Sequence, residues 1–385
     1  MPWQPKDLMD TRQEFVTLAL QEGANRRELC RRFCISAKTG YALLKRFASQ
    51  GSAALAPRSR KPLNTPTRTA PEVEQAVVAL RQQHPAWGGR KIGRRLLDLD
   101  ELGAWPVPPA STITAILHRH GLITPQASLA AQHWQRFEHE VPNALWQIDF
   151  KGDFAMAAAR CYPLTLIDDH SRFNLTLSAC ANVKATSVQP HLQRVFERYG
   201  LPVRINADNG APWGSPRLAA HGLSELSVWL IRLGIRVSHS APYHPQTNGK
   251  IERFHRSLKA EVLQGRSFAD LTQAQAAFEH WRTIYNHERP HEALSLLTPA
   301  ARYRISARAY PQRLPDIKYA DADTVAVVKH NGEVSFRGHK LRVSSALLKL
   351  PIAFKPDADH DGAFDVFFCH HRFMRVDLNA LKTDH

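Results

Sequence analysis

The sequence predicts a multidomain chain with N-terminal all-α helix-turn-helix units, a central α/β core and a C-terminal small β-barrel. Three observations carry this expectation. Through residues 11–120, apolar side chains recur every three or four positions behind capping residues such as Asn25 and Ser36. From Leu145 the apolar period shortens to two, and strand-like runs then alternate with helical ones. After Pro315 come six short β-like runs, with tight-turn signals at Asn331-Gly332 and Arg337-Gly338.

Residues 11–21 read as a helix ending at Gly23; Asn25 caps a second over 26–33, and Ser36 caps a third over 37–47. Helix, short turn, helix is the layout that sends its second helix into the DNA major groove. That helix offers Lys38, Thr39, Tyr41 and Lys45, so residues 1–56 are read as a DNA-binding domain, with a plain three-helix bundle as the alternative. Residues 57–70 form a basic, Pro-rich linker, in which Arg58, Arg60 and Lys61 suit either a minor-groove arm or a solvated tether. Residues 71–130 make a second helical unit with helices over 72–84, 89–97 and 111–120, and Arg90, Lys91, Arg94 and Arg95 cluster on its middle helix.

The central pattern predicts strands near 145–150, 162–168 and 173–179, a helix over 185–199 and a strand near 203–207. A helix near 220–233, a strand at 235–238 and helices over 250–264 and 270–287 follow. Three acids stand where such elements begin or end. In Trp146-Gln147-Ile148-Asp149-Phe150 the alternation points Asp149 away from Trp146, Ile148 and Phe150. A second apolar strand runs into Asp208-Asn209-Gly210. Pro242-Tyr243-His244-Pro245-Gln246-Thr247-Asn248-Gly249 forbids regular structure until Lys250, after which Ile251, Phe254, Leu258 and Val262 form one apolar stripe. The opposite face gathers Glu252, His255, Arg256 and Lys259. Taken singly, the acids read as a strand-edge residue, a turn and a solvated helix face. Together, two strand-end carboxylates and one on a helix can hold two Mg²⁺ about 4 Å apart for phosphodiester chemistry, Mn²⁺ being able to substitute. Asp168 and Asp169, before His170-Ser171-Arg172, are read as turn residues rather than ligands.

Around each acid the chain resembles the DDE transposases of bacterial insertion sequences, whose core is similar to that of retroviral integrases. The resemblance rests on Trp146-Gln147-Ile148-Asp149, on Asp208-Asn209-Gly210 and on the His-Pro-Gln-Thr-Asn-Gly-Lys-Ile-Glu run ending at Glu252. Lys259, the run Tyr285-Asn286-His287-Glu288-Arg289-Pro290-His291-Glu292-Ala293-Leu294, and Thr298-Pro299 extend it. It implies a ribonuclease-H-like catalytic core over residues 136–306, a second DNA-contacting helix-turn-helix at 71–130, and Asp149, Asp208 and Glu252 as catalytic metal ligands. Arg253, Arg256 and Lys259 would position phosphates. The 43 residues between Asp208 and Glu252 exceed the retroviral spacing, and the excess falls near 215–226, read as a longer loop and helix.

Charge agrees with such a partner. The chain carries +16, and residues 1–70 alone hold 13 basic and 5 acidic side chains, so a polyanion engaged first by the N-terminal arm is expected. Residues 317–385, read as a small SH3-like barrel, are almost balanced, which suits protein contact as well as DNA. Cys369-His370-His371, with His339 and His360, lacks zinc-ligand spacing. The five cysteines show no Cys-x-x-Cys pair and are expected as reduced, mostly buried thiols. No run approaches a membrane span, so a cytoplasmic, nucleoid-associated protein is expected. The expected function is Mg²⁺-dependent 3′-end cleavage and strand transfer by a homo-oligomer on double-stranded DNA, with terminal inverted repeats and target DNA as partners. The alternatives are a DNA-binding regulator with an inactive core and a bare nuclease.

Overall fold

A computed structural model describes residues 7–57, 69–99, 105–123, 138–157, 159–208, 210, 212–213, 223–239 and 249–381. Arg58, Arg60 and Lys61 lie outside the described residues. The chain divides into two units, Met1–Arg68 and Thr69–His385.

The first unit holds α1 (Leu8–Ala19), α2 (Arg26–Arg32) and α3 (Ala37–Gln50), followed by a 3₁₀ turn at Gly51–Leu55. Asn25 accepts the Glu28 amide at 3.1 Å and Ser36 Oγ that of Thr39 at 3.1 Å, so both expected caps form. Between α2 and α3, Cys34 takes φ 51°. A Cβ on Gly40 would collide with Cys30 Sγ, so α3 crosses α2 at a separation that only glycine permits. Phe15, Val16, Ala19, Cys30, Leu43 and Leu55 fill the core.

In the second unit, α4 (Pro71–Gln83), α5 (Gly89–Leu99) and α6 (Ala110–Arg119) close around Trp87, Ile92, Leu96, Ile113 and Ile116. This bundle is built into the larger unit, because Ile284 joins its core and Arg95 Nη2 bonds Glu288 Oε2 at 2.7 Å.

The central sheet contains β1 (Leu145–Phe150), β2 (Phe154–Ala155), β3 (Arg160–Asp168), β4 (Asn174–Cys180), β5 (Arg204–Ala207) and β6 (Arg236–His239). β3 pairs antiparallel with β1, β2 and β4; β5 runs parallel to β1, and β6 parallel to β5. The expected meander followed by alternation is therefore present. One face, including Trp146, Ile148, Leu164 and Leu166, packs on α7 (Ala185–Tyr199) and α8 (Glu225–Arg232). The other, including Cys161, Ile167 and Leu177, packs on α9 (Gly249–Leu258) and α10 (Leu271–His287) through Ile251, Phe254, Leu258 and Phe278. The helix expected near 220–233 is α8, and the residues before 223 in that stretch are not among those described.

The helix expected over 250–264 is α-helical only to Leu258 and widens into a π turn at Lys259–Leu263. This widening buries both Glu261 and Val262 toward α10. Glu261 accepts Trp281 Nε1 at 2.8 Å and Arg289 Nε at 3.0 Å, with both members of the ion pair 8 % exposed. Removing one partner from such a pair strands the other charge, so Arg289→Met should destabilise the second unit by about 3–5 kcal/mol. Denaturant unfolding of the full chain checks this.

After α11 (Pro299–Arg302) the chain forms β7 (Thr324–Val327), β8 (Glu333–Phe336), β9 (His339–Arg342), β10 (Pro351–Pro356), β11 (Ala363–Phe368) and β12 (His371–Asp377), ending in α12 (Leu378–Leu381). These six strands correct the expected barrel: among the described residues they make a four-stranded sheet, β12-β11-β10-β7, and a separate β8-β9 hairpin. Aromatic packing explains the arrangement. Phe336 of β8 stacks on Phe354 of β10 with centroids 3.8 Å apart and meets Phe364 of β11 edge-on at 5.0 Å. The hairpin thus lies against the sheet's face instead of extending its ladder. Leu223, Val228 and Ile231 join the same core, which anchors this C-terminal unit to α8.

Candidate active site

Parallel pairing of β1 with β5 sets Leu145 against Arg204 and Gln147 against Asn206. Continued by two residues, that register brings Asp208 opposite Asp149, on the same sheet face and about 5 Å away at the backbone. Because Trp146 and Ile148 are committed to the α7 and α8 side, alternation turns Asp149 toward α9. The apolar stripe of α9 is buried as its spacing requires, leaving Glu252 exposed in the first turn.

Electrostatics report the gathering of these acids. The Asp149 carboxyl is pushed up to about 7, chiefly by burial, then by the charge of Asp208; a Phe150 N–H bond opposes this and the Glu252 charge adds to it. Asp208 also closes its own turn, with Oδ1 accepting the Gly210 amide at 3.1 Å. A Cβ on Gly210 would press within 3.1 Å of Asp208 Oδ2, so the glycine keeps that oxygen accessible. Among the described residues no three His, Cys, Asp or Glu side chains already stand at metal-ligating separations. The donor set nevertheless fits a hard divalent cation: carboxylate oxygens whose mutual repulsion a positive ion relieves.

Several neighbours were not legible as site residues. His255, three residues beyond Glu252, lies with Nε2 2.8 Å from Thr165 Oγ1, which itself donates to the Asp149 carbonyl at 2.8 Å. The Thr165 proton being used, the imidazole donates from Nε2 and turns its Nδ1 lone pair to Asp149 Oδ2, 3.9 Å away. Burial, then Lys151, pushes this imidazole down to about 4 and keeps it neutral. Trp213 braces the Asp208 turn; its carbonyl accepts Ser224 Oγ at 3.0 Å and Ser227 Oγ at 2.9 Å, and its ring lies 6.4 Å from that of Phe150.

Asp168 and Asp169 are buried, and their oxygens are engaged. Asp168 accepts the Asn143 amide at 2.7 Å and the Ser171 hydroxyl at 2.6 Å. Asp169 accepts the His139 amide at 3.0 Å and Gln147 Nε2 at 2.9 Å, and forms an ion pair with Lys250. A turn role alone understates Asp169, which joins three separate segments.

Of the expected DNA-facing residues, Lys38, Tyr41 and Lys45 are exposed on α3, while the exposed Thr39 has its hydroxyl on Ser36 Oγ at 2.8 Å. Arg253, Arg256 and Lys259 are exposed beside Glu252. In the α5 cluster Arg90 is exposed, Arg94 pairs with Asp98 at 2.7 Å, and Lys91 and Arg95 are half-buried. Burial, followed by the Arg289 charge, lowers the Lys91 ammonium to about 8.

Residues 139–245 and 233–299 match two families of integrase core domains, and residues 323–384 match the C-terminal domain of IS481 family transposases. A helix-turn-helix domain matches residues 11–62 and a homeodomain-like domain residues 39–117. Along these stretches the chain is similar to bacterial insertion-sequence transposases with a retroviral-integrase-type core. Among its relatives, an uncharacterized 31.7 kDa protein of insertion element IS407 from Burkholderia multivorans is 29 % identical over 171 residues, 44 % of this chain and 59 % of that one. An uncharacterized 39.2 kDa protein of insertion element IS476 from Xanthomonas euvesicatoria is 29 % identical over 167 residues, 43 % of this chain and 46 % of that one. The chain thus spans about half the length of the curated relatives it matches. The HTLV-2 integrase catalytic core solved with magnesium is 17 % identical, covering 43 % of this chain and 99 % of its own, at a TM-score of 0.34. No described helix is long and apolar enough to cross a membrane.

Proposed function

We propose that this chain binds the terminal inverted repeats of an insertion sequence, exposes their 3′-hydroxyls and joins them to target DNA. The observation that carries the reading is the mutual charge of Asp149, Asp208 and Glu252, drawn from two adjacent parallel strands and one facing helix. Such a cluster repels a phosphodiester unless cations intervene. Asp149, Asp208 and Glu252 would hold two Mg²⁺ ions, or Mn²⁺ in their place, which when bound supply positive charge at the attacked phosphorus. Asp149 presents its carboxylate from β1 and Asp208 from the turn that follows β5, Glu252 completes the set from α9, and neutral His255 holds the β1–β3–α9 junction together. Water attacks the phosphorus at the end of the element and expels a 3′-oxygen as a 3′-hydroxyl, and that hydroxyl then attacks a target phosphorus and expels the target strand's own 3′-oxygen. Each step forms one P–O bond and breaks another, without a covalent protein intermediate.

The N-terminal helices supply end recognition in this reading, with the chain acting as a homo-oligomer on double-stranded DNA in the bacterial cytoplasm, at the nucleoid. Deleting residues 1–68 should abolish sequence-specific end binding and flatten its salt dependence, since each lost phosphate contact removes counterion release. Filter binding across a salt series, using duplex ends selected by binding to the full chain, measures both. An unchanged slope would move recognition to α4–α6.

Lys259 should act on chemistry instead. Seven residues past Glu252 it returns to nearly the same helix face, and a DNA strand held at the acids must run along that face. Lys259→Ala should lower strand transfer about tenfold while affinity for the repeat interior stays constant, as expected for one lost charge-assisted phosphate contact. Normal strand transfer by this variant would return Lys259 to an ordinary solvated cation.

A further inference from the structure

We propose that Asp169 is a positioning residue for the carboxylate site: its carboxylate fastens Lys250, at the start of α9, to Gln147 on β1, and so sets Glu252 relative to Asp149. The proposal rests on reading Asp149 and Glu252 as catalytic. Asp169 is 1 % exposed, with Oδ1 taking Gln147 Nε2 at 2.9 Å and Oδ2 taking the His139 amide at 3.0 Å and the Lys250 ammonium. Gln147 stands two residues before Asp149 on the same face of the strand. Lys250 stands two residues before Glu252 in the same helical turn. One buried carboxylate therefore touches both acid-bearing elements at the same short offset from their acids.

Most other attachments of α9 to the sheet lie further along it. His255 meets Thr165, and Phe254 and Leu258 enter the apolar core, which fixes the helix body. Ile251 is the apolar anchor of the first turn, and hydrophobic contact is non-directional. A directional tie at this end comes from Lys250. Its ammonium is held inside, where burial and then the Arg172 charge lower its pKa and Asp169 raises it. A buried ion pair contributes little net stability, because desolvation offsets the attraction. It does select one geometry, which a site built from separate elements requires.

Asp169→Asn removes the charge and keeps an oxygen for Gln147; Lys250→Gln removes the ammonium from the other end. Both are made in the full chain, together with the double variant. Hydrogen exchange in metal-free protein is read at the amides of residues 253–256, whose acceptors are the carbonyls of the first turn of α9. Each single variant should speed that exchange about tenfold, the loss expected for one charge-assisted hydrogen bond, and leave exchange in α10 unchanged. Strand transfer should show a similar fall in kcat, with KM for the DNA end unaltered, and the double variant should lose no more than either single one. Unchanged exchange at 253–256, an equal rise throughout α10, or losses that multiply in the double variant would each overturn the proposal. Should Asp169→Asn not fold, the exchange and kinetics of Lys250→Gln decide by the same criteria. Asp149→Asn is assayed in parallel: normal strand transfer there overturns the catalytic reading, whereas the exchange result decides the tether independently.

Discussion

Asp149→Asn, Asp208→Asn and Glu252→Gln are each expected to abolish DNA cleavage and joining while leaving DNA-end binding intact. Each substitution keeps the side chain's size and removes a charged ligand from a set of three, a loss worth several kcal/mol, or on the order of 10³-fold or more in rate. Binding should survive because α3, the helix proposed to read DNA, belongs to the separate unit Met1–Arg68. Asp168→Asn is the matched control, since its carboxylate is buried on Asn143 and Ser171, away from solvent. Cleavage assays and mobility shifts on the same preparations check the set. Loss of end binding by all three variants, or an Asp168→Asn defect as deep as that of Asp149→Asn, would show that structural acids had been taken for catalytic ones.

Cleavage and joining should require Mg²⁺ or Mn²⁺ and disappear in Ca²⁺ or chelator. The sign follows from the site itself. Asp149 is already pushed up to about 7 by burial and by its acidic neighbours, so the bare cluster disfavours the further negative charge of a phosphodiester at the acids until a divalent cation offsets it. Mg²⁺ favours a small octahedral oxygen shell, whereas Ca²⁺ accepts a larger and looser one and should hold DNA without the alignment that reaction needs. Gel assays with each ion at matched ionic strength make the comparison. Undiminished cleavage in chelator would eliminate the two-metal reading.

Most of the framework of this site was legible in the sequence because it depends on local periods. The 3–4 spacing of Ile251, Phe254 and Leu258 settles which face of α9 is buried, and therefore that Glu252 faces out. Two-residue alternation in β1 does the same for Asp149. Less was legible where partners are distant in the chain. Asp168 and Asp169 carry the signal of any polar turn, yet Asp169 is claimed by Gln147 and Lys250, far from it on either side. Lys91 and Arg95 read only as members of a basic cluster on α5, because Glu288 and the Arg289–Glu261 pair beside them are distant in the chain. The C-terminal strands are individually evident, but barrel closure depends on which edges meet, and the stack of Phe336 on Phe354 turns the β8-β9 hairpin onto the sheet instead.

The most direct test of the central claim is joining itself. The full chain is incubated in Mg²⁺ with plasmid and with a duplex whose end was selected by binding to the chain, labelled at the 5′ end of the strand whose 3′ end is processed. Transfer of label into plasmid, lost with Glu252→Gln, is the predicted result. Tight binding of the duplex with neither cleavage nor joining, in Mg²⁺ or in Mn²⁺, would contradict the account and leave a DNA-binding protein with an inactive core.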